Sequence, residues 1–120
     1  MIEDLNMELE RLENFSEFIG SAIVNRNGLL IASRMPREID ERKLGALSAT
    51  IYEAIETAIS ILKTSEIKNL TIEYQDYQII IFEVDFNTIL VSLVDLNMNL
   101  GLLFIEIEEI IKNIKKLNDK

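Results

Sequence analysis

Neither cysteine nor histidine occurs in this 120-residue chain. Their absence excludes disulfides, thiolate or imidazole metal ligation, and the usual Cys and His nucleophiles and bases. Glycine is scarce: the four present stand apart at positions 20, 28, 45 and 101. A glycine-rich phosphate loop is therefore missing, and the chain is not itself a nucleotide-binding GTPase. Positive charge is in short supply as well, with 12 Lys and Arg against 21 Asp and Glu and a net charge of −9. Such a chain repels phosphate backbones and has no basic strand or helix to offset the repulsion, so nucleic acid is not an expected partner. Long apolar runs are absent too. The longest, Leu100 to Ile105, is far too short to span a bilayer, and the opening Met-Ile-Glu-Asp is acidic where a signal peptide is basic. The expectation is a cytoplasmic protein with no direct membrane insertion, no cofactor, no metal and no catalytic residue. Acid pairs such as Glu108 and Glu109 read as solvated helix surface rather than as a cation site or an acid–base pair.

What is present is a hydrophobic content of 48% in a length that suits one domain, residues 1–120, with a single core. Gly20 to Arg34 places two short apolar runs on either side of Asn27-Gly28. Those two residues tolerate positive φ, so the segment predicts a β-hairpin with a two-residue turn, strand cores at Ala22-Ile23-Val24 and Leu29 to Ala32. Before it, Ile2, Leu5, Leu9 and Leu12 recur at helical steps and mark an amphipathic helix. After it, Pro36 makes Ser33 to Ile39 a connector.

Asp40 can cap a second helix running to about Thr64. Its stripe Leu44, Leu47, Ile51, Ile55, Ala58, Ile59 and Leu62 is expected to face a sheet. On its other side Ala46, Thr50, Glu53, Thr57 and Ser60 follow steps of four and three. That spacing fits a helix–helix seam of small side chains, or equally an ordinary exposed face. Strand-like residues return from 67 to 94. Leu70, Ile72 and Tyr74 alternate with Thr71, Glu73 and Gln75, as in an edge strand, whereas Tyr77 to Val84 and Thr88 to Val94 are apolar on both faces and belong mid-sheet. Short links make the three a meander. Asn97 or Asn99 caps a last helix with the core stripe Leu100, Leu103, Ile107, Ile110, Ile114 and Leu117. Strands apolar on both faces need two cover layers. The first and last helices therefore share one side and the second takes the other, giving an α/β (α+β) sandwich of order α-β-β-α-β-β-β-α around a five-stranded antiparallel sheet.

Charge is uneven along this order. Six acids crowd residues 1–17, and Arg26, Arg34, Arg37, Arg42 and Lys43 gather around the hairpin and the second helix start. The basic spot can meet an acidic partner or simply be solvated surface.

The opening Gly20 to Ser33, the segment Leu44-Gly-Ala-Leu-Ser-Ala-Thr50 and Asn99-Leu-Gly-Leu-Leu103, in this order and spacing, resemble the Roadblock / dynein light chain family, whose fold is related to longin domains. The resemblance spans nearly the whole chain. It implies a homodimer in which the third strand pairs with its copy and the second helices lie side by side, with Ala46, Thr50, Glu53, Thr57, Ser60, Thr71 and Glu73 at the interface. It further implies a non-catalytic platform for a Ras-like small GTPase, similar to bacterial polarity regulators, in a scaffold or GTPase-activating role. The paired helices then offer a docking groove that includes Arg42, Ala49, Glu53, Glu56 and Ser60. The GTPase supplies the chemistry; Arg34, Arg37 and Arg42 read as solvated charge before they read as arginine fingers. A dynein-type light chain, or a ligand-sensing or scaffold domain without a GTPase partner, is the alternative.

Overall fold

The computed structural model describes residues 2–62 and 66–119. Helix α1 (Ile2–Glu10) runs into a short 3-10 turn (Arg11–Asn14), followed by strands β1 (Phe18–Asn25) and β2 (Leu30–Arg34), helix α2 (Glu41–Ile61), strands β3 (Asn69–Tyr74), β4 (Tyr77–Asp85) and β5 (Thr88–Asp95), and helix α3 (Leu100–Asn118). The sheet is antiparallel throughout, in the order β2-β1-β5-β4-β3. Strand β3 lies at an edge and β4 and β5 lie inside, as their residue patterns predict. The expected end of the second helix near Thr64 lies outside the described residues.

Alternation along the strands sends neighbouring side chains into two separate cores. Ile23, Ile80, Phe82, Leu90 and Val94 pack with Leu5 and Leu9 of α1 and with Leu103, Ile107, Ile110 and Ile114 of α3. Ala22, Val24, Ile81, Ile89 and Val91 pack instead with Ala49 and Tyr52 of α2. The sandwich is therefore as expected, with α1 and α3 in one layer and α2 in the other. Asn99 is the residue that caps α3, its side-chain oxygen accepting from the Leu102 amide at 3.3 Å.

The hairpin turn differs from the expected two-residue form. Arg26, Asn27 and Gly28 form a three-residue loop closed by the Asn25 amide on the Leu29 carbonyl and by the Gly28 amide on the Asn25 carbonyl, both 2.9 Å. Gly28 has φ +86°, and Gln75 is the only described non-glycine residue with positive φ, so Asn27 does not adopt the left-handed form. The decisive side chain is Asn25, whose Oδ1 accepts from the amides of Asn27 and Leu29 at 2.9 and 3.0 Å. That local bonding stabilises the longer loop.

Helix α2 also departs from expectation. Its buried residues are Gly45, Ser48, Ala49 and Tyr52. Leu47, Ile51, Ala58 and Leu62 point away from the sheet, and Leu44, Ile55 and Ile59 sit half-buried at the margins. The cause is steric. A Cβ on Gly45 would lie 3.1 Å from a methyl of Val24, so only a face of small side chains lets the helix settle this close to β1. A large apolar stripe on that side would hold the helix off.

A charged clasp fixes the far end of that contact. From the hairpin loop, Arg26 pairs with Glu56 of α2 and, at 2.8 Å, with Glu83 of β4. Its guanidinium lies 5.1 Å from the centre of the Tyr52 ring, within cation–π range, and its amide donates to the Asn87 carbonyl at 2.8 Å. The Tyr52 hydroxyl is buried with no protein partner. Burial first, then the carboxylates of Glu83 and Glu56, raise its pKa to about 12, against a smaller opposing pull from Arg26.

Two outcomes follow from this packing. Gly28→Val should destabilise the protein by about 1–3 kcal/mol, because the left-handed backbone excludes a β-branched residue and a Cβ there would lie 3.2 Å from the Ala46 backbone; the denaturation midpoint reads this directly. Tyr52 binds its proton more tightly folded than unfolded, so its contribution is intact below the unfolded value near 10 and is lost as pH rises toward 12. Between about pH 9 and about pH 11.5, unfolding free energy should fall by about 2 kcal/mol more in the wild type than in Tyr52→Phe.

Candidate functional site

Because the small-residue face of α2 is spent on the sheet, the helix presents two exposed stripes. One is apolar: Leu47, Ile51, Ala54, Ala58 and Leu62, with Leu47 54% exposed and Leu62 71%. From Leu47 to Ala58 its steps of four, three and four match a helix–helix seam. The other is the expected row Ala46, Thr50, Glu53, Thr57 and Ser60, all of them exposed. Its hydroxyls bond inward: Thr50 donates to the Ala46 carbonyl at 3.1 Å, Thr57 to the Glu53 carbonyl at 3.0 Å and Ser60 to the Thr57 carbonyl at 2.6 Å. Once bonded to their own helix, these side chains leave little hydrogen-bonding demand on a partner.

The free edge of the sheet adds a second surface. Strand β3 pairs only with β4, so the backbone groups along its outer side have no strand neighbour. Thr71 and Glu73 are exposed on it, facing the α1/α3 side of the sheet, and the Thr71 hydroxyl donates to the Asn69 side chain at 3.1 Å.

The five residues expected to dock a partner are not all available. Arg42, Glu53 and Ser60 are exposed along one line of α2. Ala49 is not: at 6% exposure it belongs to the core beneath the helix, because it is part of the small face that meets the sheet. Glu56 is half-buried and held by Arg26, so its charge is already balanced within the chain. Arg34, too, is engaged: it forms ion pairs with Glu10 and Glu13 and ties β2 to the first helical segment. The residues that pattern reading missed are those of the outward apolar stripe. The signal was Gly45, Ser48, Ala49 and Tyr52, a run at helical spacing whose small members mark the side of closest approach.

Among the described residues no cluster of three or more Asp or Glu could hold a metal ion, and no helix is long and apolar enough to cross a membrane. The α2 stripes and the β3 edge are exposed surfaces open to contact.

Residues 4–93 match the model of the Roadblock/LC7 domain. Over 117 residues the chain is 30% identical to the uncharacterized protein MJ0714 of Methanocaldococcus jannaschii, covering 98% of this chain and 96% of the relative. Among solved structures it is similar to Myxococcus xanthus MglB, with TM-score 0.92 and 22% identity over 99% of this chain and 90% of that one. A second is the gliding protein MglB from Thermus thermophilus, with TM-score 0.81 and 16% identity over 92% of this chain and 84% of that one. At these identities the structural likeness is one of fold. With its helix-sheet-helix layering, its β3 edge and a family match across three quarters of its length, the chain belongs to the Roadblock/LC7 domain family.

Proposed function

We propose that this protein is a non-catalytic homodimeric platform that docks a Ras-like small GTPase and regulates or anchors it. The observation that carries the reading is the double exposure on α2: an apolar stripe that needs cover, next to a polar stripe that does not. Burying Leu47, Ile51, Ala54 and Ala58 against the same residues of a second copy removes apolar surface from water on a two-fold axis. The small side chains at 54 and 58 let the helix axes approach. Thr50 and Thr57 flank this seam, and pairing of β3 with its copy, with Thr71 and Glu73 at the junction, satisfies the free edge.

Pairing through the apolar stripe leaves Arg42, Glu53 and Ser60 of both copies on the outside. A GTPase that lacks two-fold symmetry can occupy a site on the axis only once, so the stoichiometry is two chains per GTPase. Family resemblance and the likeness to MglB support the partner class; the composition, without Cys or His, supports a role in which the GTPase supplies the reacting groups.

Two measurements test the reading. Light scattering at micromolar concentration should give the dimer mass for the wild type, and Leu47→Glu should raise the dimer dissociation constant about a hundredfold or more, since two leucines lose their burial and two like charges meet. Ala46→Arg, on the neighbouring stripe, should have a smaller effect; the reverse order would move the seam to the small-residue row. Calorimetric titration with the Ras-like GTPases of the source cell, in both nucleotide states, should show binding that Arg42→Glu combined with Glu53→Arg weakens. Equal affinity for that variant and the wild type would place docking elsewhere.

A further inference from the structure

Helix α2 covers only one end of its side of the sheet. It starts beside Ser33, whose hydroxyl bonds Glu41, passes Val24 and Leu30 at Gly45, and reaches Arg26 at Glu56. All of these contacts beyond the first turn lie toward the β1–β2 hairpin. At the opposite end the sheet is open, and a cleft of about 510 Å³ runs over the start of β1, the end of β5, the start of β4 and the end of β3. Its floor is Ile19, Leu93, Ile79 and Tyr77, with Tyr74 at the free edge, and Pro36, Glu38 and Ile39 of the β2–α2 connector form the wall.

Three properties define what this cleft accepts. It is apolar and carries two tyrosines, which are directly paired across the β3–β4 hairpin and 62% and 42% exposed. Rigid aromatic rings with a polar tip are the side chains on which contact surfaces concentrate binding energy. The cleft is long, since it crosses four strands, three spacings of about 4.8 Å or roughly 14 Å, the length of about four extended residues at about 3.3 Å each. Its surroundings are acidic: Glu38 stands on the wall, and Glu17, Asp76 and Asp95 meet at that end of the sheet through the Asp95 amide on the Glu17 carbonyl and the Leu96 amide on the Asp76 carbonyl. None of these four carboxylates forms an ion pair among the described residues; the nearest cation in sequence, Arg37, lines the neighbouring hollow with Arg42 instead.

We propose that this cleft is a second docking site, separate from the α2 stripes, for an extended peptide segment of a partner protein in which apolar residues alternate with Arg or Lys. In an extended chain successive side chains point to opposite sides. Alternate apolar residues then enter the cleft over Tyr77, Ile79 and Leu93, and the basic ones remain at the rim opposite Glu38, Asp76 and Asp95. Charge complementarity selects this partner over an acidic or neutral segment, and long-range attraction to the −9 chain speeds its arrival.

The test is a set of three peptides, acetyl-Arg-Leu-Arg-Leu-Arg-amide and its counterparts with Glu for Arg or Ser for Leu, titrated into 15N-labelled full-length protein and followed by amide chemical shifts. The Arg-Leu peptide should give saturable shifts at Ile19, Tyr77, Ile79 and Leu93, and the other two should bind at least about fivefold more weakly. Glu38→Gln, at an exposed position that leaves the fold intact, should weaken the Arg-Leu peptide by roughly threefold, and Tyr74→Ser should do so independently. Unsaturated shifts up to millimolar peptide, equal binding of the Ser peptide, or shifts confined to α2 would overturn the proposal. Amides of Ile19 and Leu93, on strands away from the β3 edge, that move on dilution of the free protein would also overturn it, because a second copy of the chain would then be the occupant of the cleft itself. Each outcome is independent of whether a GTPase binds.

Discussion

The contact between Gly45 and Val24 governs the rest of the architecture. Because the helix meets β1 through a glycine, a serine and an alanine, its axis lies close to the sheet and its rotation about that axis is fixed. Rotation decides which residues are left over. Leu47, Ile51 and Leu62 end up in solvent only because Gly45, Ser48 and Ala49 are underneath. The oblique course of α2 toward Arg26 likewise decides which end of the sheet it leaves bare. The exposed apolar stripe and the open cleft are two results of one close approach.

Arg26 makes that arrangement hard to slide. A cation from the hairpin loop, a carboxylate from α2 and another from β4 meet over the ring of Tyr52, so three segments that are distant in sequence are held at one point. Partly buried ion pairs contribute modestly to net stability because desolvation opposes them. Their larger effect here is geometric: with Glu56 held, α2 cannot rotate to bury its apolar stripe without leaving charges unpaired.

Much of the fold was legible in the sequence because its signals are local. Strand alternation in Leu70 to Gln75, apolar runs such as Ile79 to Phe82, and the broad stripe of α3 each report burial residue by residue, and together they require two cover layers. The three-residue loop was missed because Asn27-Gly28 carries the pattern of the shorter turn, while the deciding group, Asn25 Oδ1, acts two and four residues ahead. The orientation of α2 was missed for a different reason. Pattern reading assigns the largest apolar residues to the interior, which fails for a helix that turns its small residues to the sheet and leaves its large ones exposed. Ala49 was accordingly placed outside and is inside. No local rule separates these cases; the distinguishing cue is the size of the residues on the competing face.

The sheet order has a consequence for how the chain is made. Strand β1 sits between β2 and β5, and the pairing of Ile23 with Leu90 joins strands that have β2, α2, β3 and β4 between them in the chain. During synthesis the first hairpin therefore emerges with one edge of β1 unpaired, and it stays so until the last strand leaves the ribosome. Contacts of such wide sequence separation close late and set a slow folding rate. The α1/α3 core is subject to the same delay, since it waits for the final helix. A nascent chain that ends before Thr88 lacks the strand that pairs with β1, so that edge of the apolar hairpin stays open to pairing with another chain.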